Sequence, residues 1–205
     1  MKKSSLAVVV LVVSGLAALA LSACGGGGNN SSADQDQITK QIQFAATSGD
    51  PKACTTAQTQ HFTDQTSGDN GTGTAAVRTC EQDASQGVAD KVDVSDISVD
   101  GDNATAKVAI TGSVFDGQTL NVALVKEGGT WKLDDFKGFE GFNRDAMIAS
   151  LSAELGKQGL PSQGVDCIKT QLEKQSDQQL QQFFLNPSST GAAAIFSPCQ
   201  QFFAK

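Results

Sequence analysis

VDVSDISVDGDNATAKVAITGSVFDGQTLNVALVKEGGTWKLDDF, residues 92–136, alternates apolar with polar side chains and carries turn residues at short intervals. A period of two marks β-strands that turn one face to a core. Val92 and Val94 share one parity and Ile97 and Val99 the other, which predicts a bulge near Ser95–Asp96. Asp100-Gly101 with Asp102-Asn103 turns the chain, and Ala104, Ala106, Val108 and Ile110 make a second strand. Asp116-Gly117 precedes a third strand with Leu120, Val122 and Leu124, and Glu127-Gly128-Gly129 precedes a fourth with Trp131 and Leu133. Strands joined by such short turns form an antiparallel meander. Thr105, Lys107, Thr111, Thr119, Asn121, Thr130, Lys132 and Asp134 fall on its other, mixed face.

The apolar face needs a cover, and the residues upstream supply one. Ile38, Ile42 and Ala45 or Ala46 recur at helical spacing from Gln37 onward. Gly49 ends that helix, Asp50 caps the next and Pro51 suits its first position. Cys54, Ala57 and Phe62 belong to this second helix, and Ala76, Val77 and Cys80 to a third beyond the polar loop Ser67–Thr74. No strand signal occurs among them. The expected class is α+β, with N-terminal helices packed on a curved four-stranded antiparallel sheet.

Downstream of a hinge at residues 137–142 the helical period returns. Asn143 is a cap, and Met147 or Ile148, Leu151 and Leu155 form a stripe that Gly156 and Gly159-Leu160-Pro161 stop. Val165, Ile168 and Leu172 make a second helix, and a third from Ser176 carries Leu180, Phe183 and Phe184. The glutamines of this region form a neutral hydrophilic face, and their helical setting argues against prion-like behaviour. So short a helical segment needs a staple and docking on the sheet domain.

Helices followed by a four-stranded meander that ends in Gly128-Gly-Thr-Trp-Lys-Leu-Asp-Asp-Phe136 resemble the nuclear transport factor 2-like, or cystatin-like, domains of exported actinobacterial lipoproteins. The resemblance covers residues 37–137. It implies a pocket between helices and sheet, used in that family by isomerases, dehydratases and cyclases and present also in domains without catalysis. A fold of this kind does not choose among them.

The N-terminus agrees with an exported lipoprotein. Lys2 and Lys3 precede an apolar run from Leu6 to Leu21, too short for a comfortable membrane span and followed by glycines rather than basic residues. Leu21-Ser22-Ala23-Cys24 resembles a lipobox, which implies cleavage after residue 23 and attachment of diacylglycerol and palmitate-type acyl chains to Cys24. Residues 1–23 are then a signal peptide and 24–36, rich in Gly, Asn and Ser, a flexible tether that holds the fold about 20 Å from the bilayer. The sheet domain spans 37–137 and the helical segment 138–205. Location at the extracytoplasmic face of the cell membrane follows.

Lipid on Cys24 also resolves an odd count. Of five cysteines, Cys54, Cys80, Cys167 and Cys199 remain, and four cysteines allow three connectivities. Their grouping on either side of the strands suggests Cys54 with Cys80 and Cys167 with Cys199. Each such loop constrains the unfolded chain by about 3.5 kcal/mol in the loop-entropy description. Zinc is disfavoured because no CxxC spacing occurs and His61 is the one histidine. Cleavage removes two lysines and no acid, so the net charge of −7 becomes −9. An acidic chain repels nucleic acid and anionic headgroups, so acyl chains must hold it to the bilayer.

Candidate catalytic groups are sparse. His61, the sole histidine and so the one candidate base of its type, lies beside Phe62 near a helix end, partly exposed among the polar Thr59, Gln60 and Asp64. Asp116 is a carboxylate that would need an apolar pocket to act as a base. Asp134 and Asp135 are adjacent, so they point to opposite strand faces, with Asp134 solvated on the polar one. Asp100–Asn103 resembles the start of a calcium loop but lacks the later ligands at Ala104 and Thr111. Trp131 is assigned to the core. No metal or cofactor is expected. The leading expectation is a non-enzymatic module for a small apolar ligand or an envelope protein; the alternative is an enzyme of the isomerase or cyclase kind.

Overall fold

The computed structural model describes residues 32–68, 71–185, 193 and 195–203. The expected signal peptide, Cys24 and residues 25–31 of the expected tether lie outside the described residues, as do residues 69, 70, 186–192, 194, 204 and 205. The class is α+β. Helices α1 (Ser32–Thr47), α2 (Ala53–Thr56), α3 (Gln60–Ser67) and α4 (Thr74–Asp83) precede strands β1 (Lys91–Asp100), β2 (Asn103–Thr111), β3 (Thr119–Glu127) and β4 (Thr130–Phe139). Helices α5 (Arg144–Lys157), α6 (Ser162–Glu173) and α7 (Asp177–Leu185) follow, with a final 3-10 turn at Ser197–Phe202.

The sheet is an antiparallel meander in the order β1-β2-β3-β4. Its period-two pattern places Val92, Ala104, Ala106, Val108, Leu120, Val122, Leu124, Trp131 and Leu133 in one buried cluster with Ile38 and Ile42 of α1. Helix α1 lies across this face and touches both outer strands, β1 and β4. The expected bulge is present: Ser95 pairs with Lys107 and Ser98 with Thr105, and Asp96 takes a φ of 50°. Strand β4 carries two further shifts. Leu133 pairs with Leu124 but Asp135 with Ala123, and Phe136 pairs with Val122 but Gly138 with Asn121. Each extra residue reverses parity. Trp131, Leu133, Phe136 and Phe139 therefore all pack against the core despite their uneven spacing, and the strand extends into the first half of the expected hinge, ending at Phe139.

Two N-terminal boundaries differ from expectation. Helix α1 starts at Ser32, so residues 32–36 are helical rather than tether. Asp34 explains the early start: its Oδ1 accepts from Trp131 Nε1 and from Lys126 Nζ, each at 2.8 Å. An acid in the first turn also suits the positive end of the helix. The second expected helix is broken into α2 and α3 because Ala57–Thr59 pairs with the edge of β4. Leu133 donates its N–H to Ala57 O and accepts at its carbonyl from Thr59 N, both at 2.8 Å. This single parallel bridge at Gln58 satisfies edge groups that β4 would otherwise expose to water.

Both expected disulfides are present, Cys54–Cys80 joining α2 to α4 and Cys167–Cys199 joining α6 to the final turn. The C-terminal helices build their own core from Ile148, Ile168, Leu172, Leu180, Ile195 and Cys199. They dock on the sheet domain through Gln118, which is 2% exposed. Its amide donates to Asn143 O at 2.7 Å and accepts from Asn143 N at 3.1 Å. Asn143 in turn caps α5, accepting from Ala146 N.

Candidate ligand-binding site

Helix α1 and the sheet do not close completely on each other. A cavity of about 210 Å³ remains between Ile42, Ala45 and Ala46 on the helix and Val108, Leu120 and Val122 on the strands. Small residues make the space. Ala45, Ala46, Ala84 and Ala89 stand where longer side chains would reach the sheet. One wall is aromatic: the Phe62 and Phe136 rings lie 4.8 Å apart, and Phe115 stands 6.2 Å from Phe136. Gln86, Gly87 and Val88, all exposed, form the rim where α4 leads into β1. The polar side chains at the lining are Gln58, Gln86 and Ser113, and no ionisable side chain among the described residues lines it.

The expected candidate bases do not reach this space. His61 is exposed in the first turn of α3. Asp116 is also exposed, and its Oδ1 accepts from Gly112 N at 2.7 Å, which fixes the β2–β3 turn. The expectation that Asp134 is simply solvated needs correction. It is half-buried and accepts from Thr59 Oγ1 at 2.8 Å, while Thr59 Oγ1 accepts from Phe62 N and caps α3. The β4 bulge turns Asp134 toward that helix end. Asp135 accepts from Gln65 Nε2 and from Lys137 Nζ, each at 2.8 Å. Burial pushes its carboxyl pKa up, and these partners outweigh burial to hold it below the ordinary aspartate value. A carboxylate so held is a poor proton acceptor at neutral pH.

Other candidates fall into structural places. Asp100 pairs with Asn103 across the tight β1–β2 turn. Trp131 is fully buried in the core, with Lys126 Nζ 5.3 Å from its ring centroid. Among the described residues, no group of three or more His, Cys, Asp or Glu could hold a metal ion, and no helix is long and apolar enough to cross a membrane. Periodicity identified the two faces that form the cavity, while a gap between them was expected from the family resemblance alone. Sequence reasoning passed over Gln58, whose one visible signal was its place between Ala57 and Thr59 where the helical pattern falters. In comparisons with known proteins, the chain matches no family model, no curated protein and no solved structure.

Proposed function

We propose that the protein is a lipid-anchored extracytoplasmic module whose nuclear transport factor 2-like or cystatin-like domain binds a small apolar ligand between its helices and its sheet. The cavity of about 210 Å³ carries this reading, because aliphatic and phenyl groups line it and, among the described residues, ionisable groups do not. A preformed apolar hollow with a few neutral polar groups is the usual character of a small-molecule site. A dry cavity of about 150 Å³ suffices for benzene. Helix α1 touching both outer strands fits a curved sheet of the proposed fold type. The anchor rests on Leu21-Ser22-Ala23-Cys24 and on the cysteine count, since both disulfides use the other four cysteines.

Calorimetric titration with toluene, a probe within the size of the cavity, tests it. The heat should saturate and should vanish in Ala45→Phe, which fills the space, while circular dichroism stays unchanged. No saturable heat with the folded protein would sink the ligand reading. Separately, Cys24→Ala should lose membrane attachment or block processing; normal retention at the membrane would exclude the lipid anchor.

A further inference from the structure

We propose that the ligand site is bipartite and takes a small amphipathic amine, its apolar body between α1 and the sheet and its protonated nitrogen in an adjoining hollow between α3 and α4. The inference rests on the apolar-ligand reading and adds the chemistry of the ligand's polar end. The second hollow, about 280 Å³, shares Gln58 and Phe62 with the first as common walls. Its chemistry differs. Thr63, Thr66, Ser67, Thr79 and Asp83 line it in place of aliphatic residues.

The orientation of the hydroxyls decides what this hollow recognises. A serine or threonine hydroxyl has one proton to donate and two lone pairs to accept. Thr63 Oγ1 donates to Thr59 O at 2.9 Å, Thr66 Oγ1 to Phe62 O at 2.9 Å, and Ser67 Oγ to Gly71 O at 2.7 Å. Three of the four hydroxyls thus have their protons committed to backbone carbonyls and retain lone pairs. Among the described residues, the one charged side chain at the lining is the Asp83 carboxylate, which also accepts from Gln86 Nε2 at 3.0 Å on the rim of the apolar cavity. No lysine, arginine or histidine among the described residues lines either hollow.

An acceptor-rich surface with one negative charge complements a donor that is itself positive. A primary ammonium has three N–H donors and no acceptor. A carboxylate or phosphate would meet lone pairs and the exposed Asp83 carboxylate with no counter-ion among the described lining residues, so like-charge repulsion disfavours it. The acidic chain, net −7, adds long-range attraction for cations and repulsion for anions. The size of the apolar half limits the body to about eight to ten non-hydrogen atoms, scaled from benzene in about 150 Å³.

Calorimetric titration of the folded protein with n-octylamine, 1-octanol and octanoate at pH 7 and low salt separates the claims. The three share one tail and differ in the head. Octylamine should bind about tenfold tighter than octanol, and octanoate more weakly than either. In Asp83→Asn the ratio of amine to alcohol affinity should fall about fivefold, and added salt should reduce the same ratio. Equal binding of amine and alcohol, with no change of that ratio in Asp83→Asn, overturns the bipartite site and leaves the apolar cavity standing. Tightest binding of octanoate overturns it as well. Failure of all three to bind removes the apolar-ligand reading itself.

Discussion

The two disulfides span similar separations, 26 and 32 residues, and each pairs a buried cysteine with a half-buried one, but they differ in what surrounds them. In the sheet domain, Cys54–Cys80 ties two helices together beside the core, which is built on the strand face. In the C-terminal helices, Cys199 is fully buried within the core cluster and Cys167 packs against it. A four-stranded face supplies enough apolar surface to fold around and still leave a cavity. Three short helices do not, so the second disulfide belongs to their core.

The sharpest test of this contrast is removal of each staple. Cys167→Ala with Cys199→Ala should cost about 4 kcal/mol and open α6 and α7 to hydrogen exchange while the strands stay protected. Cys54→Ala with Cys80→Ala should cost less and loosen α4 alone. Equal losses, or loss of strand protection in the first variant, would break the distinction.

The joint between the regions comes next in size. Gln118→Ala leaves the Asn143 N–H and carbonyl without the buried amide that serves both. A loss of about 2 kcal/mol is expected, with one calorimetric transition separating into two. A single shifted transition would mean that ring contacts such as Phe115–Phe184, 5.9 Å between centroids, couple the regions without it.

Smaller effects sharpen the description of the sheet domain. Asp34→Ala should cost about 1.5 kcal/mol, since it strips charge-assisted partners from Trp131 Nε1 and Lys126 at a partly exposed site. The emission of Trp131, the one tryptophan of the chain, reports that change directly. Asp135 should give the smallest effect, confined to acid. Its folded pKa lies below the ordinary value, so its stabilisation is complete above the unfolded pKa and disappears as pH falls through the folded one. Asp135→Asn should therefore flatten the acid limb of a stability-against-pH curve and leave its slope near neutrality unchanged. A steep acid limb persisting in that variant would assign the effect to other carboxylates.

Much of this fold is legible in residues 92–136. Turn residues separate four alternating runs, and the parity change after Val94 marks the β1 bulge. The bulges in β4 were hidden because Asp134 and Lys137 are ordinary polar residues that continue the strand. The start of α1 was hidden for a different reason. Asn29-Asn30-Ser31-Ser32-Ala33-Asp34 has the composition of a linker, and the partners of Asp34 lie 92 and 97 residues away.

The sequence by itself determined which residues of β1 to β3 face inward, the order of helices before strands, and the grouping of the cysteines, because periodicity and turn chemistry are local properties. Tertiary structure alone decided the Ala57–Thr59 bridge to β4, the anchoring of Asp34 and the two hollows that meet at Gln58 and Phe62. Those depend on distances between elements far apart in the chain. A local pattern says which side chains approach each other, but whether they touch or leave room for a ligand is set by how the layers pack.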